Sequence, residues 1–257
     1  MISLKNILFL YLFFSGAALW AQPQKHFSLK SPDGKISLNI NTNQQIKWDL
    51  HLNDQTEIIT PSAVALTLSN GEVLGKNPVV KSAKTNSVDQ YFNTPIYKKS
   101  RVHDQYNQLT LTFKGDYGLI FRAYDDGAAY RFFTRKKGMI KVSNEEASFN
   151  FKNDDKAFIP FANDYRNKDK YNTSFEALYK NTNLSTLTKD SLILLPLLVD
   201  VGNGTKAAIL EADLENYPGM YLTGNGQNTP GLQSAFAPYP TSEQSLGLNY
   251  VVNKRAD

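Results

Sequence analysis

Apolar and polar residues alternate along most of this chain. Ile36, Leu38 and Ile40 are separated by Ser37 and Asn39, and Trp48, Leu50 and Leu52 by Asp49 and His51. Leu109, Leu111 and Phe113 alternate with Thr110 and Thr112, and Leu119, Phe121 and Ala123 continue the pattern. A strand sends successive side chains to opposite faces, so each run predicts a half-buried β-strand. Turn residues punctuate the runs. Asn70-Gly71 follows Val64, Leu66 and Leu68 and precedes Val73, Lys114-Gly115-Asp116 follows Phe113, and Asp125-Asp126-Gly127 precedes Ala129 to Thr134. Asn-Gly and Asp-Gly suit tight hairpins because the turn positions need positive φ. Phe149 and Phe151 mark another strand. Leu192 to Val199 and Ala207 to Leu210, joined through Gly202-Asn203-Gly204, read as strands buried on both faces. Helical pattern is confined to Ser174 to Lys180, one or two turns at most, and Asp154 to Thr188 otherwise reads as a long polar loop or a partner-facing surface. The expectation is an all-β fold, a sandwich or a barrel.

The first residues follow a different rule. Lys5 precedes an unbroken apolar run, Ile7 to Phe14, followed by Ser15, Gly16, Ala17 and Ala18, with Ala21 a cleavage position. This reads as a secretory signal peptide, Met1 to Ala21, because the run is shorter than the roughly 20 residues a membrane span needs. The expected product is an exported protein, periplasmic or extracellular, with no membrane span after cleavage.

Composition narrows the chemistry. The chain has 257 residues, 41% of them hydrophobic and 20% charged, enough for a sizeable core. A (β/α)8 enzyme would need a similar length in alternating strands and helices, and that alternation is missing. The net charge of +4 is spread along the chain rather than clustered, so nucleic acid is not an expected partner. Zero Cys removes disulfides, thiolate catalysis and Cys-ligated zinc. His26, His51 and His103 fall in no nucleophile or zinc motif, and G-x-S-x-G and H-E-x-x-H do not occur.

Carboxylates remain. Asp125-Asp126-Gly127 reads first as a turn. Glu211-Ala212-Asp213-Leu214-Glu215 follows directly on an apolar strand, and period two would place Glu211 and Asp213 on one face. Paired oxygen ligands suit calcium or magnesium, and a solvated acidic turn fits the spacing equally. Tyr217, Tyr221, Phe236 and Tyr239 crowd the next segment, as platforms for sugar rings or as core.

Five stretches carry a resemblance. They are Ser31-Pro32-Asp33-Gly34, Tyr106 to Thr110, Arg122 to Phe132 around Tyr124-Asp125-Asp126-Gly127, Leu195-Pro196-Leu197-Leu198-Val199, and Ile209 to Met220. In this order they resemble the N-terminal region of glycoside hydrolase family 97, exported calcium-dependent α-glycosidases that include α-glucosidases and α-galactosidases. The resemblance implies a large antiparallel β-sandwich of the galactose-mutarotase-like kind over residues 22–257. It also implies that the catalytic barrel, which supplies the catalytic carboxylates, is not in this chain. Glu211 matches the family's sandwich glutamate that ligates the active-site Ca2+. Leu232, Gln233 and Ser234 resemble a sandwich loop that touches an α-linked oligosaccharide substrate. Three expectations compete: the non-catalytic sandwich of an α-glycosidase, a stand-alone carbohydrate-binding module, and a surface or assembly protein.

Overall fold

A computed structural model gives the structure; it describes residues 25–162, 169–171, 177–215, 217–226, 230–246 and 249–256. The leader expected at Met1 to Ala21 lies outside the described residues, as do residues 174–176 of the turn expected over Ser174 to Lys180.

The strands are β1 (His26–Lys30), β2 (Ile36–Thr42), β3 (Ile46–Leu52), β4 (Thr56–Leu68), β5 (Val73–Leu74), β6 (Val80–Asn93), β7 (Arg101–Phe113), β8 (Tyr117–Tyr124) and β9 (Gly127–Thr134). They continue as β10 (Val142–Asn150), β11 (Lys156–Ile159), β12 (Lys180–Asn183), β13 (Leu197–Gly202), β14 (Thr205–Ile209), β15 (Met220–Gly224), β16 (Gly231–Phe236), β17 (Pro240–Leu246) and β18 (Asn249–Arg255). One 3-10 turn, Leu184–Thr186, is the only helical element among the described residues. The stretch expected as a long polar loop therefore carries β11 and β12, and Lys180 opens a strand rather than closing a helical turn. No helix among the described residues is long and apolar enough to cross a membrane.

Every pairing among the described residues is antiparallel. One sheet runs β1-β2-β3-β4-β10-β16-β15 with β5 beside β4, a second runs β6-β7-β8-β9, a third β12-β11-β13-β14, and β17 pairs with β18. The predicted hairpins form in register. Thr67 faces Val73 across Asn70-Gly71, Phe113 faces Tyr117 across Gly115-Asp116, and Tyr124 faces Gly127. Gly115 and Asp116 take φ of 93° and 58°, the left-handed region that this tight turn requires.

The core follows from the alternation. Leu109, Leu111 and Phe113 of β7 and Leu119, Phe121 and Ala123 of β8 are buried, and they form one cluster with Leu38, Ile40, Ile46 and Trp48 of the facing sheet. This is two sheets closing on their apolar faces, an all-β sandwich. Gly118 is required within the second sheet, on the face of β8 opposite Leu119, because a Cβ there would sit 2.4 Å from the Leu111 carbonyl oxygen of β7 and 2.3 Å from the Phe133 ring of β9.

Pro61 lies inside β4, where it cannot donate to the ladder. The β10 partner of β4 jumps from Ala147↔Val64 to Asn150↔Thr60 at this point, a bulge of the kind that accommodates a strand proline. Side chains replace the interrupted ladder. The Ala63 N–H donates to Ser148 Oγ at 2.6 Å, and the Asn150 N–H donates to the buried Ser62 Oγ at 2.9 Å.

Candidate functional site

The acid segment leaves one sheet and enters another. β14 ends at Ile209, and the next strand, β15, belongs to the larger sheet, so the described residues between them, 210–215 and 217–219, cross between sheets with no ladder partner. Two expectations are corrected here. Ala207 to Leu210 is not buried on both faces: Ala208 of the edge strand β14 is exposed, and Leu210, past the end of that strand, is 63% exposed. Glu211 and Asp213 do not share a strand face. Asp213 takes φ of 59°, which turns the chain, and its Oδ2 pairs with Arg131 Nη2 of β9 at 2.7 Å. Glu211 Oε2 instead accepts the Met220 N–H at 2.8 Å.

A third acid joins them from a strand that the motif reading passed over. Counting by twos back from buried Phe149 and Ala147 puts Glu145 on the core-facing side of β10. A carboxylate on that face loses water, and its partner is Tyr217, whose Oη donates to Glu145 Oε2 at 2.6 Å. Tyr217 also packs edge-on against Phe236, with ring centroids 6.1 Å apart. The segment is thus pinned at three points: Glu211 to Met220, Asp213 to Arg131, and Tyr217 to Glu145.

The electrostatics follow the burial. Desolvation raises the Glu145 carboxyl above the ordinary glutamate range, the Tyr217 hydrogen bond partly offsets this, and the nearby Glu211 charge adds to the rise. Desolvation also raises Glu211, against the lowering by the Met220 N–H. The Tyr217 hydroxyl is pushed far up by burial and by the Glu145 charge, so it remains a donor. Glu211 Oε1 takes no hydrogen bond among the described residues. Leu210, Leu214 and Tyr239 are exposed apolar groups on and beyond this segment.

The remaining candidates separate clearly. Asp125-Asp126-Gly127 is the β8–β9 turn, and Asp125 Oδ1 accepts the Asp33 N–H at 2.9 Å, tying two turns together. His51 bonds Asp49 at 2.9 Å, and His103 bonds Asp89 at 2.7 Å. Leu232, Gln233 and Ser234 lie in β16 between β10 and β15, not in a loop. Leu232 is fully buried, and Ser234 Oγ donates to the Glu145 carbonyl while accepting the Ala147 N–H, so only Gln233 is exposed. Of the four aromatics, Tyr217 and Phe236 pack together, Tyr221 meets Tyr171 at 5.3 Å, and Tyr239 is 61% exposed.

Glu211 fits a hard cation as one ligand. It offers a half-desolvated carboxylate oxygen, the donor type calcium takes, but calcium takes about six to eight oxygens. No group of three or more His, Cys, Asp or Glu gathers to hold a metal among the described residues. A cation here would take its other ligands from outside this set.

Comparison with known proteins gives a consistent result. The family model described as "Glycosyl-hydrolase 97 N-terminal" matches residues 29–242. A retaining alpha-galactosidase of Bacteroides thetaiotaomicron (strain VPI-5482) is 40% identical over 232 residues. The match covers 89% of this chain and 35% of that enzyme, so the chain spans about a third of the relative's length. Among solved structures, a glycoside hydrolase family 97 enzyme of Pseudoalteromonas sp. strain K8 in complex with acarbose superposes with a TM-score of 0.70 at 22% identity, over 83% of this chain and 32% of that one. A beta-arabinopyranosidase superposes with a TM-score of 0.72 at 21% identity, over 82% of this chain and 35% of that one. These structures share the fold.

Proposed function

The chain belongs to the glycosyl-hydrolase 97 N-terminal family, and on that premise we propose that it is the sandwich domain of an exported, calcium-dependent α-glycosidase acting on α-linked oligosaccharides. In this reading it is exported through the leader Met1 to Ala21. It has no turnover of its own and presents Glu211 as one calcium ligand to a catalytic barrel that supplies the remaining ligands and the reacting carboxylates.

The observation that supports this most is the state of Glu211. It sits on a segment without ladder partners, with one oxygen fixed by Met220, the other without a hydrogen bond among the described residues, and burial working against its charge. Such a carboxylate gains from a cation brought by a second surface. The exposed Leu210, Leu214 and Tyr239 are apolar area that a docking domain would cover. Calcium bound there would supply positive charge that stabilises charge developing on the sugar. The chain's own residues hold the ligand: the Met220 N–H orients the carboxylate, and the Tyr217–Glu145 and Arg131–Asp213 contacts fix the segment that carries it. Glycoside hydrolysis needs two carboxylates flanking the scissile bond. Glu211 and Asp213 diverge to separate partners and do not form such a pair.

The test is direct. The chain from Gln22 onward, with calcium present, is expected to show no hydrolysis of aryl α-glucosides or α-galactosides. Hydrolysis that disappears in Glu211→Ala would overturn the reading. Among the described residues, Tyr239 is the one largely exposed ring near the site that the binding-module alternative has. It would require saturable maltooligosaccharide binding that Tyr239→Ala removes.

A further inference from the structure

The longest hairpin of the fold overruns its sheet. β8 pairs with β7 only from Asn107 to Phe113, whereas β6 and β7 remain paired for six further rungs, Val88↔Tyr106 to Asn93↔Arg101. These rungs form a two-stranded arm projecting about 20 Å beyond the sandwich, at about 3.4 Å per residue. Two-stranded ribbons are marginal in water by themselves. The base is locked where Tyr106 is buried, with its ring 5.1 Å from that of Tyr124 and the Arg122 guanidinium 4.2 Å above it.

The two faces of the arm differ. On one, the side chains satisfy each other. Arg101 lies 4.1 Å over the Tyr91 ring, His103 stacks on Tyr91 at 4.3 Å, and Asp89 bonds His103 at 2.7 Å and Gln105 at 3.2 Å. On the other, Val88, Phe92 and Val102 surround one polar pair, Gln90 donating to Asp104 at 3.1 Å. Phe92 is 47% exposed, and at the tip Ile96 is 96% and Tyr97 65% exposed. The outer edge of β6 pairs with no strand among the described residues. Charge is also divided along the arm: Lys98, Lys99 and Arg101 make the tip basic, while Asp104 and Asp89 make the shaft acidic.

We propose that the arm pairs with the arm of a second copy of this chain. The two ribbons lie antiparallel with their Phe92/Val102 faces together. Asp104 is two rungs toward the base from Phe92↔Val102, and the tip loop begins two rungs the other way. A two-fold axis through the Phe92↔Val102 rung therefore brings Lys98 and Lys99 of each copy over Asp104 of the other. A parallel arrangement would set basic tip on basic tip. The face is small beside the roughly 1,200–2,000 Å² that stable interfaces bury, so the pair is transient and concentration-dependent.

Sedimentation velocity on the chain without its expected leader tests this through charge exchange. The unaltered chain is expected to associate reversibly as its concentration rises toward about 100 µM, and to do so less at high salt. Phe92→Lys weakens association at least tenfold without changing the thermal midpoint, because Phe92 lies outside the core. The double variant Lys98→Glu/Lys99→Glu and the single variant Asp104→Lys each lose self-association. Mixed one to one, they regain it, since each tip again meets an opposite charge. A wild-type chain that stays monomeric, or a mixture that recovers nothing, overturns the proposal. Protection of Tyr97 and Phe92 by added maltooligosaccharide in a monomeric chain would overturn it in favour of a glycan occupant.

Discussion

Two strands of this protein run straight into acids, and the chain treats them differently. After β8, Asp125 and Asp126 are followed by β9, which pairs back at once with Tyr124 facing Gly127. The acids are turn residues, and Asp125 is used to receive the Asp33 N–H of a neighbouring turn. After β14, Glu211 and Asp213 lie on a crossing segment whose described residues have no ladder before β15 begins in another sheet. There the acids sit beside exposed Leu210 and Leu214 and near the half-buried Glu145. An acid after a strand is structural when the next strand closes on it. It becomes a candidate ligand when the backbone departs and leaves a carboxylate oxygen without a partner.

Several substitutions would break or sharpen that contrast. The largest effect is expected on the closed side: Phe121→Ala in β8 removes a fully buried ring from the shared core and should cost about 3–5 kcal/mol in urea unfolding. On the open side, Tyr217→Phe deletes the donor to a mostly desolvated carboxylate. It should cost about 1–2 kcal/mol and leave the β8 region as protected from amide exchange as before. If Tyr217→Phe were as costly as Phe121→Ala, the crossing segment would be part of the core and the contrast would fail.

Stability against pH separates the regions by sign. Glu145 and Glu211 have folded pKa values above the ordinary value of 4.5. Their contribution is therefore greatest below that value and is lost as pH rises through the folded values. Asp33, held low by the Lys35 N–H and the Ser31 hydroxyl, and Asp154, held low by Ser185 and Asn183, behave oppositely: their contribution is present above the ordinary 3.8 and is lost as pH falls. Urea midpoints for Glu145→Gln should decline less from pH 4.5 toward neutrality than those of the unaltered chain. Equal slopes would mean that Glu145 is solvated. The smallest effect belongs to Arg131→Ala: both partners of its ion pair are largely exposed, and the loss should be at most about 1 kcal/mol and smaller still in salt.

Strand positions and hairpins were legible because period two and the Gly turns are local signals. Leu109 to Ala123 fold as their alternation predicts, and the turns at Asn70-Gly71, Gly115-Asp116 and Gly202-Asn203-Gly204 all form. Short strands such as β11 and β12 were hidden, because four polar-flanked residues are too few to show a period and take their conformation from their neighbours. The motif singles out Glu211 as a candidate, but not its geometry. The strand stops at Ile209, and the positive φ of Asp213 breaks the alternation that period two assumes. Glu145 joins Tyr217 across 72 positions, and only the β10–β16 pairing and the path of the crossing segment bring them together. The order of Leu232, Gln233 and Ser234 likewise carries no sign that β16 is a central strand rather than a loop.

The central claim is that Glu211 supplies a cation ligand to a catalytic domain. The most direct measurement replaces the matching third of the 40%-identical Bacteroides thetaiotaomicron enzyme with this chain and follows aryl α-galactoside hydrolysis against calcium concentration, with Glu211 or Glu211→Gln in place. The account predicts calcium-dependent hydrolysis with Glu211 and a calcium midpoint raised about tenfold or more by Glu211→Gln. Superimposable calcium curves for the two would contradict it.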